Sequence, residues 1–488
     1  MTGPYHNAEM KQALSVLETL RQNGYEAVFV GGCVRDVIVG RPLTDIDIAT
    51  SALPETVMSI FERTVPTGLA HGTVTVLLNE QSYEVTTYRS EAAYDDHRRP
   101  SGVSFIPNLD GDLLRRDFTM NAMAIRSDGS LIDLYGGMND IQAGVIRCVG
   151  VADERFREDA LRMIRAIRFA STFGYKIALS AWRAIRRNRD LLQYVAMERI
   201  SIELDKMVGG AGPHRAAAWL AASGLLPLAR DPLPPSFAQA GSARDRGVPP
   251  LTAALTQLPN KDDRWAAVFL ALRLSPDDAE ETLQRLRFPV RRTASIRSVV
   301  LMHAAASPLA ETAPAMPQLA SQALSQPAPF DAASAALQPQ AAGIASEEPT
   351  QPLLVPSAAS QPTPQHRVQW VDAVLRLGTE AAEAWLRIAR VYADAHGALG
   401  GAPLSRDALE LLASELAALP CTTVRQLAVN GGDLGTSLRL KPGPRTGELL
   451  NALLRATALG EVPNEREALL TLAQSMEEER MNDGEHHS

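Results

Sequence analysis

Val30-Gly31-Gly32-Cys33-Val34-Arg35-Asp36 and, shortly after, Gly40-Arg41-Pro42-Leu43-Thr44-Asp45-Ile46-Asp47-Ile48-Ala49-Thr50 decide how this chain is read. The apolar run Ala27 to Val30 ends at two glycines, and Val34, Val37 and Ile38 then recur at helical spacing, which predicts a strand, a tight turn and a helix N-terminus. Such a terminus offers unpaired backbone N–H groups and a positive dipole end to an anion. Gly32 lets a triphosphate approach the backbone, and Arg35 adds a forked cation. The second stretch predicts a strand in which Asp45 and Asp47 share one face while Ile46 and Ile48 point into the core. Two such carboxylates suit Mg²⁺, which takes a few hard oxygen ligands and leaves the rest to substrate phosphates. Paired ions of this kind activate an attacking hydroxyl and stabilise a departing pyrophosphate. An isolated Asp-x-Asp more often marks a turn or a solvated strand edge, but Gly-Gly-x-x-Arg-Asp at this distance makes the combination specific.

Further stretches extend the pattern. They are Pro66-Thr67-Gly68-Leu69-Ala70-His71-Gly72-Thr73-Val74-Thr75-Val76, Tyr83-Glu84-Val85-Thr86-Thr87-Tyr88-Arg89, Arg115-Arg116-Asp117-Phe118-Thr119-Met120-Asn121-Ala122, and Asp133-Leu134-Tyr135-Gly136-Gly137. Phe156-Arg157-Glu158-Asp159-Ala160-Leu161-Arg162-Met163-Ile164-Arg165-Ala166-Ile167-Arg168-Phe169 and Glu198-Arg199-Ile200 follow. On these residues the chain resembles the class II nucleotidyltransferases, the family of bacterial CCA-adding enzymes and bacterial poly(A) polymerases. The resemblance implies a palm-like α/β nucleotidyltransferase head followed by all-α neck, body and tail domains. It implies template-independent addition of C, C and A to the 3′ end of tRNA from CTP and ATP, with release of pyrophosphate. It also implies that Arg116 contacts the incoming nucleotide, that Asp117 lies near its ribose, and that Arg165 and Arg168 surround the same nucleotide.

A length of 488 residues exceeds what one core usually supports. Residues 1–150 alternate short β-type and helical runs and form the expected head. The expected helical parts are a neck at 151–215, a body at 216–303 and a tail at 367–488. Predicted helices run from Arg157 to Phe173, Ala181 to Tyr194, Ile200 to Val208, Ala216 to Gly224, Trp265 to Leu274 and Asp277 to Leu286. Residues 304–366 turn to Ala, Ser, Pro and Gln with scarcely any charge, too little apolar surface to offset their ordering entropy, and are expected to be a disordered insertion. A Pro/Gly/Arg stretch around Pro232 to Pro250 reads as loop. No window is apolar enough to span a bilayer, and the polar start with Tyr5, His6 and Asn7 lacks a secretory core, so a cytoplasmic protein without a membrane partner is expected; a homodimer stays open. Cys33, Cys148 and Cys421 are scattered and odd in number, which argues against a disulfide framework or a zinc cluster.

The net charge of −8 runs against RNA binding, since that affinity comes largely from cations that displace counterions. Arginines crowd residues 155–168, 183–189, 285–297 and 439–445 while acids collect elsewhere, so a basic face on an acidic chain is expected, although each cluster alone reads as a solvated helix face.

On the predicted helix from Arg157 to Phe173, Asp159, Arg162, Arg165 and Arg168 form a polar stripe beside a buried one of Leu161, Ile164 and Ile167. Cytosine and adenine both present an exocyclic amino donor beside a ring-nitrogen acceptor. A carboxylate only accepts and a guanidinium only donates, so Asp159 with Arg162 could select C and A against U and G. The bland alternative is an i,i+3 surface salt bridge. Glu84, Thr86 and Tyr88 share a strand face, where Glu84 either orients the metal site or is structural. The polar loop from Ser90 to Ser104 is of a kind that gates sites. His71 and His97 have no ligand-spaced partner, and no His-Asp dipeptide points to a phosphohydrolase domain.

CCA addition, A addition and poly(A) synthesis share nearly all these motifs. The run containing His71-Gly72-Thr73 resembles the CCA-adding subgroup, and the loop between Arg89 and Arg115 is full length, whereas CC-only relatives are shortened there. Val429-Asn430-Gly431-Gly432-Asp433-Leu434, Lys441-Pro442-Gly443-Pro444-Arg445, Gly447 and Pro463-Asn464-Glu465-Arg466 resemble the tail of bacterial CCA-adding enzymes. A non-catalytic RNA-binding protein on the same fold would be expected to have lost Asp45 or Asp47, and both are present. CCA addition is therefore the expectation.

Overall fold

Helix α1 (Ala8–Gln22) buries Met10, Ala13, Leu17 and Leu20, the spacing of one helix face, against a seven-stranded mixed sheet. The computed structural model describes residues 8–91, 103–238, 253–311, 364–441 and 443–485. The bulk of the insertion expected at 304–366, the tip of the polar loop and most of the Pro/Gly/Arg stretch lie outside the described residues. The chain divides into two compact units, one of Met1–Ala304 with Leu377–Ala402 and the other of Ala305–Arg376 with Pro403–Ser488.

In the first unit come β1 (Ala27–Val30), α2 (Gly32–Ile38), β2 (Asp47–Thr50), α3 (Pro54–Ile60), β3 (Thr64–Gly68), β4 (Thr73–Leu78) and β5 (Gln81–Thr87). A hairpin of β6 (Arg89–Glu91) and β7 (Val103–Phe105), α4 (Leu109–Leu114), β8 (Ala124–Ile125) and β9 (Leu131–Ile132) complete the α/β head. The sheet order is β3-β4-β5-β2-β1-β8-β9; β2 and β5 run parallel, placing Asp47 opposite Glu84, and the other neighbours are antiparallel. Strand alternation sorts side chains into two cores. Phe29, Ile48, Val74, Val76, Tyr83 and Val85 pack with α1 and Val57 of α3. Val28, Val30, Ala49 and Tyr88 pack on the other face against Leu109 and Leu113 of α4. Asp47 shares the second face with Ala49, so its carboxylate leaves the sheet at the start of the strand. Asp45 lies ahead of β2 instead of within it, as the strand begins at Asp47, yet Ile46 and Ile48 enter the core as expected.

Beyond α5 (Gly137–Ala143) the unit is nearly all helical, with one short parallel pair, β10 (Val145–Ile146) and β11 (Lys176–Ile177). The single helix expected from Arg157 to Phe173 is two. Helix α6 (Ala152–Glu158) ends at Asp159, whose backbone is extended, and α7 (Leu161–Phe173) begins after Ala160. The cause is local: the Asp159 carboxylate accepts from the Leu161 backbone N–H, so the short polar side chain competes with the helix ladder and wins. There follow α8 (Leu179–Asn188), α9 (Met197–Val208), α10 (Pro213–Ser223), α11 (Pro235–Ala238), α12 (Lys261–Ala271), α13 (Pro276–Arg285) and α14 (Val290–Ala306). α15 (Pro364–Leu377) precedes α16 (Thr379–His396), which returns to the first unit through Arg387 on the buried Asp263 of α12. No helix among the described residues is long and apolar enough to cross a membrane.

The second unit contains α17 (Arg406–Ala417), α18 (Gly431–Leu438), α19 (Pro444–Leu459) and α20 (Arg466–Glu485), packed through Leu434, Leu449, Leu453, Leu469 and Ala473. Its sequence motifs have structural uses. Asn430 accepts from the N–H groups of Gly432 and Asp433 while Asp433 accepts from that of Asn430, a reciprocal cap on α18. Asn464 accepts from Ala428 N–H and donates to the Gln426 carbonyl.

Two glycines give opposite expectations. A side chain on buried Gly137 would meet the Thr119 carbonyl and the Met123 thioether, so Gly137→Ala should destabilise the protein by about 2–3 kcal/mol. Gly447, inside α19, has open space around it, so Gly447→Ala should stabilise by about 0.5–1 kcal/mol. Thermal denaturation of the two variants beside the parent chain measures both signs.

Candidate active site

The motifs converge on one polar cleft of about 490 Å³ in the first unit. Gly31, Gly32, Arg35 and Asp36 come to it from the β1–α2 turn, and Asp45 and Asp47 from the approach to β2. Arg115, Arg116, Asp117 and Asn121 arrive from the loop after α4, and Asp159, Arg162, Arg165, Arg168 and Phe169 from the α6–α7 break and α7. Of the site residues named from the sequence, Gly32, Arg35, Asp45, Asp47, Arg116, Asp117, Asp159, Arg162, Arg165 and Arg168 line this cleft, whereas Glu84 sits behind it, opposite Asp47 in the sheet.

The strict glycine is Gly31. Its φ is 74°, and a Cβ there would lie 2.8 Å from the Arg116 guanidinium and 3.5 Å from an Asp47 carboxylate oxygen. Gly32, to which the sequence assigns close approach of the phosphates, has only Arg35 at 3.7 Å. Burial raises the Asp47 carboxyl above the ordinary carboxylate value; Arg116 opposes that, while Glu84 and Asp45 add to it. Negative charge is therefore crowded at this point of the sheet, and all donors there are hard oxygens. Among the described residues no group of three His, Cys, Asp or Glu side chains is placed to hold a metal by itself, so an ion held by the pair would take its remaining ligands from phosphate and water.

The opposite wall is cationic and tightly braced. Asp112, buried and missed by the sequence reading, accepts from Arg115 at 2.7 Å and Arg116 at 3.1 Å, and these two cations hold its carboxyl below the ordinary value against the effect of burial. Asp117 accepts from Phe118 N–H at 2.8 Å and Asn121 Nδ2 at 3.0 Å, and pairs with Arg165 at 2.6 Å. Its carboxylate, expected beside a ribose, is thus taken up by protein donors. Burial pushes it up, but Arg165, Asn121 and Arg162 bring it down to about 2. Asn121 Oδ1 accepts from Arg35 at 2.6 Å, while the Arg35 fork grips Asp36. Glu203 of α9, also buried, pairs with Arg168 and Arg165.

The reading pair is arranged differently from the polar stripe. Asp159 is held by the fork of Arg199, at 2.8 and 3.2 Å, 40 residues away. Arg162 is buried and donates to Glu158 at 2.6 Å and to the Arg115 carbonyl at 2.8 Å. Arg199 stood in a quoted motif without a role; nothing in local spacing marks it. In the remaining arginine clusters Arg187 pairs with Asp153, Arg287 with Asp231, Arg292 with Asp205 and Asp262, Arg297 with Glu280, and Arg445 with Glu477, so part of the positive charge expected on a basic face is met within the protein.

Family models match three parts of the chain: "Poly A polymerase head domain" at residues 27–147, "Probable RNA and SrmB- binding site of polymerase A" at 174–228, and tRNA nucleotidyltransferase domain 2 at 378–473. The CCA-adding enzyme of Lactiplantibacillus plantarum is 34% identical over 466 residues, 96% of each chain. That of Geobacillus thermodenitrificans is 36% identical over 462 residues, 94% of this chain and 95% of the relative. The crystal structure of the Bacillus stearothermophilus CCA-adding enzyme in complex with CTP is similar with a TM-score of 0.72 and 32% identity, covering 99% of this chain and 100% of that one.

The depressed Asp117 predicts acid sensitivity with a definite sign. A carboxylate at about 2 in the folded chain and 3.8 outside it contributes roughly 2 kcal/mol that is fully present above pH 4 and is lost as pH falls towards 2. Denaturant titrations between pH 5 and pH 2 should show this loss, and Asp117→Asn should be less stable at pH 7 with a flatter dependence in that window.

Proposed function

The chain belongs to the CCA-adding enzymes, and from that premise we propose that it adds C, C and A to the tRNA 3′ end, drawing CTP and ATP in turn into the cleft described above. The observation that carries the reading is the meeting, in one cleft, of the Asp45/Asp47 pair with the phosphate turn and the α7 arginines. The crowded carboxylates Asp45 and Asp47 fit Mg²⁺, with Glu84 beside Asp47 in register. When bound, the ion makes the primer hydroxyl a better nucleophile and balances charge on the triphosphate.

The protein's own part is orientation. Backbone N–H groups at Gly32 and the positive charge of Arg35 receive the triphosphate, and Arg116, whose buried Nε has no hydrogen-bond partner among the described residues, stands across from Asp47 to meet charge on the phosphate under attack. Arg165 and Arg168 flank the nucleotide, and Asp159 with Arg162 reads its base edge. The neck, body and tail helices hold the tRNA, and the cytoplasm is the proposed setting.

The decisive assay gives the purified protein tRNA transcripts lacking CCA, or ending in CC, with each labelled nucleotide. Two C residues and one A should be added; incorporation of A alone onto CC ends would overturn the reading. Asp47→Ala should cut addition of both nucleotides more than about a hundredfold while tRNA affinity stays within about twofold, because the carboxylate acts on the reacting phosphate. In Asp159→Asn, the donor-only fork of Arg199 should hold the amide oxygen and turn its NH₂ to the base. The preference for CTP over UTP in single-nucleotide incorporation should then fall about tenfold or more.

A further inference from the structure

Two phenyl rings one helical turn apart near the end of α7 gather the arginines of the cleft. The Phe169 ring centroid lies 3.9 Å from the guanidinium carbon of Arg168, 5.3 Å from that of Arg165 and 5.3 Å from that of Arg35. Phe173 lies 4.8 Å from Arg35 and 4.8 Å from Arg41. Phe169 is buried and lines the cleft, set edge-on against Phe118 at 5.6 Å and stacked on Phe173 at 6.2 Å. Arg35 belongs to the phosphate turn and Arg41 to the loop that leads to Asp45, whereas Arg165 and Arg168 belong to the helix beyond the head.

We propose that Phe169 and Phe173 act as positioning residues: an aromatic clamp that fixes the phosphate-binding arginine of the head relative to the nucleotide-binding arginines of α7. The inference rests on the function proposed above. Its physical basis is what an aromatic face does that a carboxylate cannot. A ring attracts a cation through its quadrupole but carries no net charge, so the rings add holding contacts to these four arginines without neutralising any charge beyond what Asp36, Asp117 and Glu203 already take up. Contact with a ring also consumes no N–H donor, so it places no further demand on Arg35 and Arg165, whose donors already serve Asp36, Asn121, Asp117 and Glu203. The carboxylates at this wall, Asp36, Asp117 and Glu203, do the reverse: each fixes an arginine by consuming donors and charge. The i,i+4 spacing of the two rings puts both on one side of α7, so a single helix position serves Arg35 from both.

The test compares Phe169→Leu, which fills similar space without a π face, with Phe169→Tyr, which keeps it. In full-length protein with tRNA lacking CCA, Phe169→Leu should raise KM for CTP and ATP about five- to tenfold, with kcat within about threefold of the parent and unchanged tRNA affinity. Phe169→Tyr should restore KM to within about twofold. Direct binding of labelled CTP to the tRNA-free protein should show the same ordering. Phe173→Leu, at a half-buried site, should raise both KM values similarly, and carries the test if Phe169→Leu does not fold. Unchanged KM in the leucine variants, or a tyrosine variant no better than leucine, would overturn the clamp. Failure of the parent protein to add C and A would instead overturn the function, so the two failures are distinguishable.

Discussion

A nearly buried carboxylate, Asp117, holds the cleft together. Its oxygens bind Asn121 and Arg165, and Asn121 passes the connection to Arg35 in the phosphate turn. Removing one partner from such a group leaves a buried charge uncompensated, which typically costs about 3–5 kcal/mol, so the loop after α4, the turn after β1 and helix α7 are constrained to one arrangement. The benefit falls on the substrate. Donors already aimed need not reorganise when charge moves from one phosphate oxygen to another, and that preorganisation is the larger part of electrostatic catalysis.

Charge in this protein is organised at short range. The start of β2, in the middle of the sheet, concentrates Asp45, Asp47 and Glu84, the facing wall concentrates arginines, and the separation between them is narrow enough that Arg116 and Asp47 nearly meet over Gly31. A net charge of −8 says little about such a site. Nor does a local run of arginines: on α13 and α14, Arg285, Arg292 and Arg297 are taken up by Asp and Glu, whereas in the cleft rings and backbone share the bracing of the cations with carboxylates.

What could be read from the sequence was what depends on near neighbours. The glycine turn, the Asp-x-Asp pair and the alternation of β1 and β2 are set by spacings of a few residues, and the α/β head followed by helices follows from the same periodicities. The break at Asp159 was not legible, because an apolar period continues across it and the outcome turns on whether one side chain captures one backbone N–H. Glu203, Arg199, Asp112 and Asn121 were missed as site residues for a different reason. Each takes its role from a partner brought close by tertiary packing, such as Arg199 on Asp159 or Arg35 on Asn121, 86 residues apart. Gly32 and Gly31 look alike in a string; the positive φ of Gly31 and the approach of Arg116 and Asp47 separate them.

The way the reading pair is braced bears on selectivity. Arg199 and the Leu161 N–H occupy about three of the four acceptor sites of the Asp159 carboxylate. Arg162 is oriented from behind by Glu158 and the Arg115 carbonyl. Acceptor and donor are thus each braced by other groups, and in the role proposed for them they are the complement of the edge that C and A have in common. In a desolvated cleft a base offering the reverse pattern would bury two unmatched polar contacts, each costing about 1–3 kcal/mol, so exclusion of U and G would follow from rigidity of the pair more than from attraction to C and A.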